Sequence, residues 1–441
     1  MTSSHTARQS TDAPHGAPTD QGTTPAPSLL RLAGPAYFPI AFIARFPFAM
    51  MVVGTLTLVV AARDSIALGG LNSAVVGLGS ALVGPLLGAA ADRIGQRPVL
   101  LASGLVNSLA LLALAAVAFS DLPDVAVLAV GFVLGASSPQ IGPLSRSRLV
   151  QLILRRMPAD RRARSMNGTM GYESAADETA FVFGPVVVGL LATTMSPAAP
   201  MIGAAVLTLV FVTAFALHPT ATVEAPASHE SVAQAPAREL RAPGVLVIVA
   251  GALGVGLFFG TVLTSLTAVL SEAGHGESAG LVYGVMGVGS TILALSTSLF
   301  PARFSLRARW LVFGTLMLAA MLAFGLAGGA LPVMVGAMAV AGIGVGPTVV
   351  TLYSLAAERS PQGRSATLMT MLGSATIVGQ SAASALTGSV AESAGAGTAV
   401  LLPIAAASLV VLAALGNALL GRGPLAVEDA VTSTEAPPAA L

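Results

Sequence analysis

Four ionisable side chains lie inside long apolar runs of this sequence. They are Arg45 in one run and Glu173, Asp177 and Glu178 in another. A charge at the centre of a membrane-spanning helix costs about 2.5 to 3.5 kcal/mol on insertion scales, so a charge at such a place indicates function or pairing. These four groups could exchange protons, or they could form a static ion pair that fixes how two helices pack.

Spacing gives the three acids different expected environments. Glu173 and Asp177 are four residues apart and share a helix face, where two close carboxylates favour holding one proton. At 1.5 Å per residue, Arg45 lies about 18 to 20 Å and Glu178 about 15 Å from the starts of their runs. Arg45 and Glu178 are therefore expected to meet near the bilayer midplane. Glu173 lies closest to the start of its run, so solvent is expected to reach it and it ranks behind the other two acids.

The sequence contains few residues and no motif that could carry out enzymatic catalysis. The sequence contains no Cys and five His, all in polar tails or loops: His5, His15, His218, His229 and His275. It has no H-E-x-x-H motif, no G-x-S-x-G motif with a plausible partner His and no phosphate-binding loop. We expect no enzyme, no metal site and no cofactor, and a process driven by a gradient.

The composition identifies a membrane protein. Of 441 residues, 54% are hydrophobic and 9% are charged, and the mean hydropathy is +0.83. A soluble domain usually carries about 25% charged residues, so this chain could not cover a water-facing surface. The net charge of +1 gives no field that would recruit nucleic acid.

Twelve apolar runs are long enough to cross a bilayer, which takes about 20 residues per helix. They do not alternate polar and apolar residues as barrel strands do, so we predict an all-α membrane protein with 12 transmembrane helices. The runs cover residues 33–60, 68–90, 98–119, 124–146, 168–193, 199–217, 244–270, 279–299, 310–328, 330–356, 365–388 and 398–420.

Polar segments divide the chain into two halves of six runs. Residues 29–217 and 244–420 form the halves, and 218–243 is predicted to be a flexible cytoplasmic linker. Residues 1–28 and 421–441 are too polar to fold and are predicted to be disordered tails.

The arginines predict the orientation in the cell membrane. All of them except Arg45 and Arg63 fall in segments on the side of the N-terminus, and this count takes Arg146 and Arg148 as loop residues. By the positive-inside rule, both termini are expected in the cytoplasm.

The second half repeats the first at a separation of 210 residues. Segment 77–104 aligns with segment 287–314, and both lie between the second and third runs of their halves. Seven positions are identical: Gly77 and Gly287, Gly79 and Gly289, Ser80 and Ser290, Arg93 and Arg303, Arg97 and Arg307, Leu101 and Leu311, Gly104 and Gly314. Two halves in the same orientation are typical of transporters that rock about a central site.

Residues 88–97, GAAADRIGQR, resemble the G-x-L-A-D-R-x-G-R-R signature of the major facilitator superfamily. Ala90 and Gln96 depart from it. The motif residues are Gly88, Asp92, Arg93, Gly95 and Arg97. The resemblance implies two pseudo-symmetric six-helix halves, with Asp92 against the start of the eleventh span, near Arg364 and Ser365, as a latch that closes the cytoplasmic face. The alternative is a solvated loop whose arginines only set topology.

A second string, AFVFGPVVVG at 180–189, resembles an element found in exporters of this superfamily, with Ala180 in place of its first Gly. Gly184 and Gly189 would admit a close helix, and Pro185 would allow a kink. Small residues around a Pro are also common in membrane helices generally.

Further candidates follow from the spans that line the cavity in this superfamily: Gln140, Thr261, Thr264, Ser265, Tyr353 and Gln380. Such side chains often bond only to a helix carbonyl. Where the family has an Arg in the middle of span four, this sequence has none before Arg146, and Arg45 is a candidate substitute. Its replacement by Ala is expected to abolish transport and leave insertion intact.

These features together predict a secondary transporter, with proton-coupled efflux of a small, weakly polar or amphiphilic organic compound, such as a drug or metabolite, as the leading function. The alternative is an uptake carrier or uniporter with the same fold. The expected partners are the lipid bilayer, the substrate and protons, and the chain is expected to be monomeric.

Overall fold

The computed structural model describes residues 28–223, 234–274, 279–301 and 303–420, together with Thr2. These residues form helices and no strand. The first part contains α1 (Leu29–Ala33), α2 (Tyr37–Ile43), α3 (Phe46–Arg63), α4 (Ile66–Ile94), α5 (Gln96–Ala118), α6 (Asp124–Ala136), α7 (Ile141–Arg156), α8 (Ala159–Thr194), α9 (Ala199–Leu207) and α10 (Thr213–Leu217). The second part contains α11 (Pro243–Glu272), α12 (Ala279–Ser296), α13 (Leu306–Gly325), α14 (Leu331–Arg359), α15 (Ser365–Ala394), α16 (Ala396–Ala399) and α17 (Leu401–Leu419).

Twelve helical segments of the described chain have the length of a membrane span. Eleven are also apolar enough to cross a membrane by length and composition. The twelfth is α15, which is 30 residues long, carries many Ser, Thr and Gly residues, and packs along α4 and α11. The prediction of an all-α membrane protein with 12 helices in two halves is confirmed.

The two halves meet chiefly along two seams, α4 against α15 and α8 against α12. Each seam is closed by a glycine near the same end of the bundle. A Cβ on Gly88 of α4 would lie 2.8 Å from the carbonyl oxygen of Ala366, and one on Gly171 of α8 would lie 2.4 Å from that of Ala294. Only hydrogen atoms fit there, so the backbones of the halves touch. We call this end, where α4 ends and α15 begins, the Asp92 end.

Residues that are equivalent in the sequence repeat make equivalent contacts in the structure. Gly79 in α4 packs against the backbone of α6, and its counterpart Gly289 in α12 packs against that of α14. Gly104 faces Val212 at the end of the first half, and Gly314 faces Val410 at the end of the second. The paired glycines therefore hold equivalent helix crossings in the two halves.

Two predicted spans differ from the structure in ways that create the site. Span one is broken at Ala44 and Arg45. The break arises because the ring of Pro47 would clash with the carbonyl of residue 43 in a continuous helix. Span four is broken over 137–140, between α6 and α7, where Pro139 lacks a backbone N–H. The predicted end of span four at 146 is wrong, since α7 continues to Arg156.

The described ends of the predicted linker form two short 3-10 helices, Pro219–Val223 and Ala237–Arg241. Its middle, 224–233, lies outside the described residues. So do nearly all of the N-terminal tail predicted at 1–28 and the whole C-terminal tail predicted at 421–441.

Candidate functional site

Arg45 lies at the break between α2 and α3 and points into the first half. Its Nε donates to Oδ1 of Asp177 at 2.7 Å, Nη1 donates to the Ala41 carbonyl oxygen at 2.6 Å, and the guanidinium also forms an ion pair with Glu173. Arg45 is 4% exposed. The broken helix places the guanidinium where it binds two carboxylates one turn apart on α8.

Arg146 is the second cation of this cluster, and the prediction that it lies in a loop is wrong. Its Nη2 lies 2.7 Å from Oδ2 of Asp177, so Asp177 bridges two arginines. The guanidinium carbon lies 4.0 Å from the ring centroid of Tyr353 in α14, a cation–π contact between the halves. Arg146 is 1% exposed. Because the helix continues past the predicted end of span four, this arginine lies within the candidate span Asp124–Arg156 and not in a loop.

The break in span four also contributes to this cluster. It places the N-terminus of α7 beside α8, and a Cβ on Gly142 would lie 3.0 and 3.1 Å from the two carboxylate oxygens of Asp177. Free N–H groups at a helix N-terminus favour a negative charge. Asp177 is therefore stabilised by two guanidinium groups and by the first turn of α7.

We expect Gly142→Ala to lower folding stability by about 1 to 3 kcal/mol, the usual cost of overpacking. The new methyl group would also lie 3.2 Å from Nη1 of Arg146, so the ion pair has to move. Gly336→Ala is the matched control, because a Cβ there meets nothing within 4 Å. Thermal unfolding of both purified variants measures the difference, and equal melting temperatures would contradict the prediction.

Glu173 is fully buried, so the expectation that solvent reaches it is wrong. One carboxylate oxygen binds Arg45, and the other accepts a hydrogen bond from the Ser145 hydroxyl at 2.9 Å. The Ser145 hydroxyl in turn lies 2.7 Å from that of Tyr37. Both oxygens of Glu173 thus have partners, and its charge is matched by Arg45.

Glu178 has a different environment from the neighbouring acid. Successive helix residues point about 100° apart, so Asp177 faces the first half while Glu178 faces the seam with α12. There Ser290 donates a hydrogen bond to Oε1, and Thr291 donates to Oε2 at 3.2 Å. The expected contact with Arg45 is wrong, and Glu178 has no ion pair among the described residues.

The signature loop brings Asp92 to the first turn of α15. The backbone N–H groups of Ala366 and Thr367 donate to its carboxylate at 3.0 and 2.7 Å, and the Thr367 hydroxyl donates at 2.5 Å. This is the place that the resemblance implies. Gly95 lies at φ +87°, which favours glycine. Arg93 and Arg97 are exposed on the surface of the same end.

The structure explains why Gln replaces the usual Arg at position 96. Gln96 is fully buried, donates to the Leu144 carbonyl at 3.0 Å, and accepts from Nε and Nη2 of Arg148 at 3.0 and 2.8 Å. Arg148 is also fully buried in α7, and the prediction that it lies in a loop is wrong. An arginine at position 96 would meet another guanidinium there.

We therefore expect Gln96→Arg to destabilise the fold by about 3 to 5 kcal/mol, since an uncompensated buried charge costs that much. Gln96→Glu keeps an oxygen for Arg148 and is expected to be far milder. The yield of monodisperse protein and its melting temperature compare the two variants. A stable Gln96→Arg variant would show that this site is not closed to a second cation.

The residues of the exporter-like string show one close contact. A Cβ on Gly184 would lie 2.7 Å from Cβ of Ala49, so α3 and α8 are packed tightly there, whereas one on Gly189 would meet nothing within 4 Å. The helix α8 is unbroken through these positions. The side chain of Pro185 lies outside the part that the structure describes.

The polar residues predicted to line a cavity lie on several helices, and three of them bond to protein groups. Gln140 donates to the Ser138 carbonyl at 3.2 Å and reaches the Ser80 hydroxyl at 3.5 Å. Thr261 and Ser265 donate to carbonyls of their own helix. Tyr353 is buried beneath Arg146, and Thr264 and Gln380 are half-buried.

This architecture, two six-helix halves with buried charges beside their contact, defines a multi-pass membrane carrier. The family model described as Major Facilitator Superfamily matches residues 37–385, and the chain belongs to that superfamily of transporters. A search among curated proteins finds no match.

Solved structures show the same fold. The human organic anion transporter MFSD10 is 18% identical, with a TM-score of 0.65, covering 89% of this chain and 100% of that one. A bacterial homologue of the iron transporter ferroportin in an outward-facing state is 15% identical, with a TM-score of 0.71 and coverage of 88% and 100%. The E. coli fucose:proton symporter FucP is 15% identical, with a TM-score of 0.59 and coverage of 86% and 98%.

Proposed function

We propose that this chain is a proton-coupled exporter of a small, weakly polar or amphiphilic organic compound, working by alternating access in the cell membrane. The observation that carries the proposal is Glu178, an acid on the seam between the halves whose described partners are two hydroxyl groups. The other two intramembrane acids of α8, Glu173 and Asp177, are paired with arginines.

Four charges of the cluster balance one another, and the charge of Glu178 is left over. Arg45 and Arg146 match Glu173 and Asp177, two positive charges against two negative ones. A proton on either of these acids would leave a guanidinium uncompensated. A proton on Glu178 removes a charge that lacks a cation and that lies half-buried among apolar helices. Glu178 is therefore the residue that we assign to proton binding.

The position of Glu178 would couple this proton to movement of the halves. Its carboxylate belongs to α8, and the two hydroxyl donors, Ser290 and Thr291, belong to α12 in the other half. When the halves separate along this seam, the carboxylate loses both donors and its affinity for a proton changes. A group whose proton affinity depends on the conformation is what gradient-driven transport needs.

The second seam would supply the gate. Asp92 accepts three hydrogen bonds from the start of α15, and these must break before the Asp92 end opens. With the arginines on the cytoplasmic side, this end faces the cytoplasm and both termini lie there. The described conformation would then be closed towards the cytoplasm.

Export is proposed over uptake because of the exporter-like string at 180–189. Two of the solved structures with this fold are the fucose:proton symporter and the proton:xylose symporter XylE, so proton-driven uptake is the alternative. The proposed substrate is weakly polar because the arginines and acids of the buried cluster are largely paired with one another. Such paired charges offer little to bind a charged compound.

The test compares export with uptake directly. A host without its own exporters is screened for resistance to a compound panel. Each compound to which the protein confers resistance is then added to everted vesicles with an acidic lumen. A pH-sensitive dye measures the pH of the lumen. Export coupled to protons predicts that the compound discharges the gradient in vesicles with the protein and not in vesicles without it. Compound entry that is insensitive to a protonophore would contradict proton coupling.

A further inference from the structure

Two residues from the described end of the inter-half linker, Gln234 and Ala235, lie across the Asp92 end. We propose that they form a strap that holds this end closed, with Gln234 as the positioning residue. The strap is a second lock beside Asp92, and the inference rests on the proposed function of the Asp92 contact as a gate.

Gln234 bonds to both halves at once. Its side-chain amide donates to the backbone carbonyl oxygen of Asp92 at 2.9 Å and to that of Gly363 at 3.3 Å. The Asp92 carbonyl belongs to the last turn of α4, where carbonyls have no partner within the helix. Gly363 precedes α15 in the other half. One amide nitrogen therefore joins the end of a helix in the first half to a loop in the second.

Ala235 fixes the strap on the second half. Its N–H donates to the Gln362 carbonyl at 3.0 Å, and its own carbonyl accepts from Nε of Arg364 at 2.5 Å. The loop at 361–364 is a tight turn, with Arg364 N–H donating to the Pro361 carbonyl at 3.0 Å. These bonds fix the backbone next to Gln234, so less backbone freedom is lost when its amide binds Asp92.

Gly363 shows how closely the strap fits the turn. Its φ of +70° lies in the left-handed region, as the third residue of a type II turn requires. A Cβ there would also lie 3.1 Å from Cγ of Gln234. The same glycine thus permits the turn and leaves room for the strap.

Opening of the Asp92 end must break the bond between Gln234 and Asp92, because α4 and the loop at 361–364 belong to different halves. The bonds of Ala235 stay within the second half and survive. Loss of the Gln234 side chain should therefore favour the open state by about fivefold, the population change that one net hydrogen bond gives. Unlike the Asp92 carboxylate, the strap binds a backbone carbonyl, so the two locks are separable by mutation.

The experiment uses the full chain, which has no native Cys. Spin labels on Arg97→Cys and Arg303→Cys, two exposed positions on different halves at the Asp92 end, report closed and open populations as distances. The variant Asp92→Asn is the starting background, because a weakened latch brings both populations into a measurable range while the carbonyl bound by Gln234 remains. Gln234→Ala is then added.

We expect Gln234→Ala to lower the closed-to-open ratio about fivefold relative to Asp92→Asn alone. The matched control is Arg238→Ala, an exposed residue of the same linker, which should leave the ratio unchanged. An unchanged ratio in Gln234→Ala, or an equal change in the control, overturns the strap. If Asp92→Asn alone leaves the distances of the parent protein unchanged, the gate fails and the strap fails with it. Proton coupling at Glu178 is read separately from flux.

Discussion

Replacement of Glu178 with Gln is expected to reduce transport driven by a pH gradient by about tenfold or more. The amide has nearly the same shape. Its oxygen can accept from one of the two hydroxyl groups, Ser290 or Thr291, while its NH2 group donates to the other. It cannot release a proton at any pH. Proton-driven accumulation should therefore fail, while exchange of labelled for unlabelled substrate across proteoliposomes without a gradient should continue.

Two other acids make this result specific. Glu392→Gln removes an exposed carboxylate at the far end of α15 and is expected to leave both kinds of flux unchanged. Asp177→Asn leaves Arg45 and Arg146 with one carboxylate between them. It should therefore lower the melting temperature, an effect on stability that is separate from flux. Normal gradient-driven transport by Glu178→Gln would remove Glu178 from the coupling step.

The sequence predicted those features that depend on single segments. A run of apolar residues must form a helix in lipid, because no water is present to satisfy the backbone. The repeat at 210 residues identified equivalent glycines by a match between two stretches of chain. The place of Asp92 near the start of α15 followed from the resemblance of the signature loop to that of the superfamily.

The positions of Arg146 and Arg148 within a helix were not predicted, because in a hydropathy pattern two charges mark the end of an apolar run. Leu149, Val150, Leu152 and Ile153 follow at helical spacing, and a loop over 147–167 would be long for a compact protein. Those two signals could have extended span four to Arg156.

The partner of each charge depends on tertiary packing and could not be predicted from spacing. Asp177 and Glu178 are adjacent in the chain, yet one faces two arginines of its own half and the other faces hydroxyl groups of the opposite half. A helix rotation of about 100° would carry one of these residues into the environment of the other. The breaks at Arg45 and Gln140, which bring the arginines to α8, are local effects of proline within runs that remain apolar.

Arg45→Met is expected to abolish transport and to destabilise the protein by about 3 to 5 kcal/mol, because it leaves Glu173 and Asp177 with one guanidinium between them. The control Arg161→Met removes an exposed arginine 4.0 Å from Asp160 and should cost less than about 1 kcal/mol. Thermal unfolding measures both.

The double variant Arg45→Met/Glu173→Gln distinguishes structure from mechanism. It restores charge balance, since Arg146 and Asp177 remain as a pair. We expect it to regain roughly 1 to 3 kcal/mol over Arg45→Met, the coupling typical of contacting charges, and a measurable share of proton-driven flux. Such a recovery would make Arg45 a positioning residue and leave Glu178 as the proton site. A double variant that is stable but inert would contradict this assignment, because the guanidinium would then act in the transport step itself.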